Sequence, residues 1–308
     1  MGRFLARRGA MGLLTILATT VAVTLLIHLV PGDPVQIMYA QSQGTTPEQL
    51  EAIRERLGLA DPLAVQYVRF LGRLLQGDLG ETIRGGQPVL PLLLERLPNT
   101  LALAGAAMAV AVTLGVPLGF LAAYRRGTWL DATLMVGAIA GVSIPHFWLG
   151  LVLMFVFAVE LGWLPVAGTG PANLVLPAVT LGLSNAAIVA RMTRSSMIDV
   201  MGQDFVRTAN AKGLPKATVL HAHVMRAGLV PVVTMMGLQF TYMMGGAIVV
   251  ENIFAWNGIG RLAIDAIFQR DYPLIQGFIL VFATTVVCVS LLVDLLYAVL
   301  DPRIRRSA

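Results

Sequence analysis

Residues 99–124 read NTLALAGAAMAVAVTLGVPLGFLAAY, a run with no Asp, Glu, Lys or Arg. About 20 apolar residues in a helix cross the hydrocarbon core of a bilayer, so this stretch predicts a transmembrane helix. Its glycines and alanines suit close helix packing in lipid. Working outward, five further apolar runs follow the same pattern: 9–30, 132–159, 174–190, 229–250 and 277–300, of which only the last carries a charge, Asp294. The whole chain agrees. Of 308 residues 56% are apolar and 13% charged, with a mean hydropathy of +0.76, against a charged fraction of about 25% in soluble domains.

A backbone in lipid must satisfy its own hydrogen bonds, and the alternating ten-residue pattern of a barrel is missing. The reading is an all-α integral membrane protein with about six transmembrane helices. The 174–190 run is short, and the longer 132–159 run must tilt or bend, with Pro145 the natural break. The first run follows Arg3, Arg7 and Arg8 but is too long for a signal h-region, and no small-x-small site follows Val30. It reads as an uncleaved anchor. Cys288, the single cysteine, excludes an intrachain disulfide.

Charge sets the orientation. With both ends cytoplasmic, the inner segments hold 14 of the 22 basic residues in 61 positions and the outer ones 8 in 108. Lys and Arg accumulate on the cytoplasmic side, so the net charge of +5 is a topological signal. No nucleic-acid-binding pattern accompanies it.

Between the spans the chain divides into a cytoplasmic tip with the first span (1–30), an extracytoplasmic helical loop (31–98), a five-helix core (99–300) with a cytoplasmic loop at 191–228, and a cytoplasmic tail (301–308). The outer loop opens on a Pro31-Gly32-Asp33-Pro34 turn. Thr46, Pro47 and Gln49 have the spacing of a capping box, with Gly58 a stop. Asp61-Pro62 starts a second helix, with Leu63, Tyr67, Phe70, Leu71, Leu74 and Leu75 on one face. A third short helix, 89–97, leads into span two. Interfacial packing and a docking surface or cavity lid are both open for this loop. In the inner loop, Asp204 to Lys212 is helix-forming before Gly213 and Pro215 interrupt it. Phe205, Val206 and Ala209 offer a small apolar face, and Arg207, Asn210 and Lys212 offer polar groups. It suits a partner or the membrane surface equally.

Catalytic and metal chemistry find little footing. The chain has two lysines, Lys212 and Lys216, preceded by Ala211 and Pro215, which excludes a GxxxxGK[ST] phosphate loop. His221 and His223, two apart, send their side chains to different helix faces. His28 and His146 read as packed or interfacial, and Ser195-Ser196 lacks a matching His and acid. The chain is read as no enzyme, with no cofactor or metal of its own. Asp294 is the one Asp, Glu, Lys or Arg in a span, and a gradient-driven carrier using it is the alternative to an ATP-driven system.

Several motifs together carry a resemblance: Leu29-Val30-Pro31-Gly32-Asp33-Pro34, Gln76-Gly77-Asp78-Leu79-Gly80, Arg96-Leu97-Pro98-Asn99-Thr100-Leu101, Ala190-Arg191-Met192-Thr193-Arg194-Ser195-Ser196-Met197, Arg207-Thr208-Ala209-Asn210-Ala211-Lys212-Gly213, Pro231-Val232-Val233-Thr234 and Arg270-Asp271-Tyr272-Pro273. The chain resembles the permease subunits of bacterial ATP-binding-cassette importers for dipeptides, oligopeptides and nickel, and most closely the dipeptide and glutathione permeases. The resemblance implies a type I importer permease fold in the bacterial inner membrane. It implies three kinds of partner: a second homologous permease subunit, one or two cytoplasmic ATPase subunits that hold ATP and Mg, and an extracytoplasmic solute-binding protein. It also implies that Asp204, Phe205, Arg207, Thr208, Ala209, Asn210, Ala211, Lys212 and Gly213 form a coupling segment seated on an ATPase subunit. Of the broader Glu-Ala-Ala signature only Ala209 and Gly213 agree, whereas the peptide-importer form Thr-Ala-x-Ala-Lys-Gly fits. Asn210, Pro215, Ala227-Gly228 and Asn257 depart from that form's usual residues.

Overall fold

The computed structural model describes residues 2–29, 35, 36, 46, 48–51, 61–168 and 170–300. The Pro31–Pro34 turn, the Gly58 stop and the 301–308 tail lie outside them. Among the described residues the regular secondary structure is all helical, apart from one isolated bridge between Glu81 and Pro88. The helices are α1 (Gly2–Leu29), α2 (Leu63–Leu75), α3 (Val89–Tyr124), α4 (Trp129–Ser143), α5 (His146–Met154), α6 (Pro171–Met201), α7 (Asp204–Ala211), α8 (Arg226–Ile253), α9 (Ile259–Gln269) and α10 (Tyr272–Leu300). A π-helical segment, Phe155–Glu160, continues α5. A short turn, Lys216–Thr218, leads through a second, Val219–Met225, into α8.

Helices α1, α3, α6, α8 and α10 are long and apolar enough to span a bilayer, and α4 and α5 form a sixth crossing if counted together. That pair bends by 98°, at the proline the sequence singled out. Ile144 is extended, as a residue before proline prefers, and Pro145 is the N-cap of α5 with no N–H to offer α4.

Two run boundaries need correction. The short 174–190 run is the middle of a 31-residue helix, α6, which starts at Pro171 and continues through Arg191 and Arg194 to Met201. Charge ends a bilayer crossing but not a helix, whose hydrogen bonds are internal. The expected separate helix at 89–97 is the first part of the 36-residue α3, which carries Pro98 without a break.

Contacts divide the chain into two compact units, one of residues 1–98 with 258–291 and one of 99–257 with 292–308. In the first, the capping box forms as spaced: the Thr46 N–H donates to Gln49 Oε1 at 2.9 Å and the Gln49 N–H to Thr46 Oγ1 at 3.3 Å. Helix α2 starts after Pro62, and Tyr67, Phe70, Leu71 and Leu74 are half-buried while Leu63 and Leu75 stay exposed. Tyr67 and Thr20 of α1 share a hydroxyl hydrogen bond of 3.0 Å. The Gln276 amide donates to the Val23 carbonyl, tying α10 to α1. A core of Val89, Leu93, Ile259, Leu262, Ala266 and Leu274 closes this unit.

In the second unit α6 is the central element, with buried residues around most of its circumference. It crosses α3 backbone to backbone. A Cβ on Gly182 would fall 2.7 Å from Val110 Cβ and 2.8 Å from the Ala107 carbonyl oxygen, and one on Gly115 would fall 2.7 Å from that of Ala186. Small residues permit this approach.

Candidate functional site

Helix α7 begins without a side-chain cap, at an extended Gln203. Asp204 in its first turn opposes the positive end of the helix dipole. Its end is a Schellman arrangement. The Gly213 N–H donates to the Asn210 carbonyl at 3.0 Å and the Leu214 N–H to that of Ala209 at 3.4 Å, with Gly213 at φ 74°. A Cβ there would meet nothing within 4 Å, so backbone conformation alone demands glycine.

The eight residues are held by two of them. Val206 and Ala209 are buried in a cluster with Met197, Val200, Val219, Val224 and Ala123. Burial of a Val side chain is worth about 1.5–3 kcal/mol. The Arg207–Asp204 ion pair, 3.6 Å long, is largely exposed at both ends and is worth about 0–1 kcal/mol. Packing therefore anchors the helix. Asp204, Phe205, Arg207, Thr208, Asn210, Ala211, Lys212 and Gly213 are exposed. Phe205, grouped in the sequence with Val206 and Ala209, stands outside their buried cluster and is 42% exposed.

The base beneath α7 is built from the end of α6. The Ser196 hydroxyl donates to the Gly228 carbonyl of α8 at 2.6 Å, buried. A Cβ on Gly228 would lie 2.6 Å from Met197 Sδ, so glycine lets this methionine pack close against the start of α8. Arg194 reaches Asp131, in the first turn of α4, with Nε at 2.6 Å from Oδ1 and Nη2 at 2.7 Å from Oδ2.

At the other end of the second unit a polar group joins α3 to the end of α8. Thr100 Oγ1 donates to the carboxylate of Glu251, a fully buried residue, at 2.6 Å. Asn99 Nδ2 donates to the Asn257 carbonyl at 2.8 Å, and Trp256 Nε1 to the Asn99 carbonyl at 3.0 Å. The departure at Asn257 leaves its bond intact, because the acceptor is backbone. Midway along α6, Asn185 accepts from Gln239 of α8 at 2.7 Å.

Sequence reasoning missed these pairs. Glu251 stands one residue past the 229–250 run. Asp131 stands one before 132–159, although Thr128-x-x-Asp131 has capping spacing, and the Asp131 N–H does reach Thr128 Oγ1, at 3.5 Å. Neutral Asn185 and Gln239 left no mark in a search for charge. Asp294 is buried. His146 is half-buried at the bend, and the exposed His221 stacks on Phe120 with ring centroids 6.2 Å apart. Among the described residues no three His, Cys, Asp or Glu side chains group as a metal site.

Known proteins share the sequence and fold of this chain. Residues 115–306 match the family described as binding-protein-dependent transport system inner membrane component, and residues 1–104 match its N-terminal counterpart. The glutathione transport system permease protein GsiC of Pectobacterium atrosepticum is 44% identical over 94% of this chain and 95% of its own. The di/tripeptide transport system permease protein DppB of Pseudomonas aeruginosa is 41% identical over 99% of both. Among solved structures, the MetNI methionine ABC transporter in an inward-facing form matches with a TM-score of 0.59 at 17% identity, covering 68% of this chain and 96% of that one. An amino acid ABC transporter matches at 0.53 and 17% identity, covering 68% and 94%. The fold is that of a type I importer permease.

Proposed function

We propose that this chain, which belongs to the family of inner membrane components of binding-protein-dependent transport systems, is the permease subunit of an ATP-driven importer of small peptides, among which dipeptides, oligopeptides and glutathione are the candidates. Full-length likeness to permeases named for glutathione and di/tripeptides carries this reading. The chain sits in the bacterial cytoplasmic membrane with both termini inside. A second homologous permease subunit completes the pathway, a solute-binding protein delivers substrate outside, and one or two ATPase subunits inside hold ATP and Mg. This chain itself holds no cofactor.

The exposed face of α7 is the part offered to the ATPase. Phe205 supplies an aromatic anchor of the kind that dominates interface energetics, and Asp204, Arg207, Thr208, Asn210 and Lys212 supply exposed polar groups on the same helix and its end. Because Val206 and Ala209 fasten α7 to the ends of α6 and α8, a push on the helix is delivered to the spans and not absorbed by a loop.

The test is copurification of the complex followed by reconstituted, ATP-dependent uptake of dipeptides, longer peptides, glutathione and nickel. Peptide or glutathione uptake that requires the ATPase subunits is expected; uptake of nickel alone, or uptake by this chain without them, would refute the reading. Ala209→Trp, which overfills the cluster under α7, should release the ATPase subunits or abolish uptake. Normal coupling in that variant contradicts the docking role.

A further inference from the structure

The Arg194–Asp131 contact is built more elaborately than a surface ion pair. The Asp131 side chain is 7% exposed and that of Arg194 28%. Both carboxylate oxygens are engaged by the guanidinium, at 2.6 and 2.7 Å, and Oδ2 also accepts from the Gly127 N–H at 3.1 Å. A two-point contact between planar groups fixes orientation as well as distance. Apolar helix faces can slide; this pair cannot slide without breaking.

Its place gives that stiffness a use. Arg194 lies two residues from Ser196, which is bonded to the Gly228 carbonyl, and three from Met197, which packs with Val206 and Ala209 of α7. The end of α6 is thus fastened to the base of α8, to α7 and, through Arg194, to the first turn of α4. Helix α4 leads to the 98° break before α5. Given the coupling role proposed above, on which this step rests, we infer that Arg194 and Asp131 are a positioning pair that carries the displacement of α7 into the bent α4–α5 segment.

The experiment uses the complete complex in proteoliposomes, with binding protein and a dipeptide, and reads both uptake and ATP hydrolysis. Asp131→Asn removes the charge at constant shape; Arg194→Lys keeps the charge but loses the second contact. In both variants the ATPase subunits remain bound and hydrolyse ATP, while uptake per ATP falls at least about tenfold, within the usual range of coupling between sites. A ratio within about twofold of the wild type in Arg194→Lys, a change too small for a coupling link, overturns the inference. Should the variants assemble poorly, spin labels at the exposed positions Trp129 and Asp199 of an otherwise unaltered complex report the same link. Their separation stays constant between the resting and nucleotide-trapped states if α4 and α6 move as one, and a change overturns it. A wild-type complex that shows no ATP-dependent uptake condemns the coupling reading; a coupled wild type with equally coupled variants condemns the pair alone.

Discussion

Asp271 shows what one residue does in a motif whose letters alone say little. It precedes α10, is almost fully buried, and accepts from the Leu274 N–H at 3.2 Å and the Ile83 N–H at 2.9 Å, so it both caps a helix and pins the 78–88 turn region. Burial pushes its carboxyl above the ordinary carboxylate range, against the pull of those N–H groups and of Arg84. A folded-state value above the unfolded one, about 4, means the folded protein keeps a proton that the unfolded chain has lost. Stability from this group is therefore complete below the unfolded value and declines as pH rises through the folded one. Asp271→Asn cannot ionise. Thermal unfolding of both proteins in detergent should show the difference in Tm, wild type minus variant, falling as the pH rises above about 4; a difference that grows instead would show a carboxylate held down. At this scale the sequence was legible where a residue acts locally, as in the Thr46–Gln49 box. It was silent where the partner is distant in the chain: nothing near position 131 announces position 194, and nothing near 251 announces Thr100.

Helices were legible as elements because a charge-free run in lipid has one solution, but their ends were not. Hydropathy stops at Ala190 and α6 does not, since the hydrogen bonds of the next three turns are indifferent to Arg191 and Arg194. The same reasoning hid the helical character of most of 191–228. Glycine content had suggested close packing, without saying which glycines. The α3–α6 crossing answers that with a contrast between two glycines on its helices. Gly182→Leu drives a side chain into Val110 and the Ala107 carbonyl and should cost at least about 1–3 kcal/mol, seen as a lower Tm and a smaller yield of folded protein. Gly105→Ala, on α3 with nothing within 4 Å of its Cβ, should be neutral or stabilising by up to about 1 kcal/mol, the helix preference of Ala over Gly. Equal losses at both positions would mean that helix propensity, and not the crossing, governs these sites.

For the whole molecule, the count of crossings depends on one place, the break at Ile144-Pro145. Two half-length helices bent by 98° either cross together or enter and leave on the same side. Six crossings bring the termini to one side, and five separate them. Charge favours six. With six crossings, Arg125 and Arg126 before α4, Arg191 and Arg194 in the last turns of α6, and the exposed Arg207 and Lys212 all share a side, in keeping with the accumulation of Lys and Arg on the cytoplasmic face. A re-entrant pair would put α7 opposite Arg125 and Arg126. Paired reporter fusions, one fluorescent only in the cytoplasm and one active only outside, should place both termini and the Gly202–Gln203 junction inside and the Gly85–Gly86 turn outside. An outside signal from the C-terminal fusion, with the N-terminus inside, would reduce the crossings to five and make the bent segment a re-entrant hairpin. The six-helix reading would then fall, and with it the cytoplasmic placement of α7.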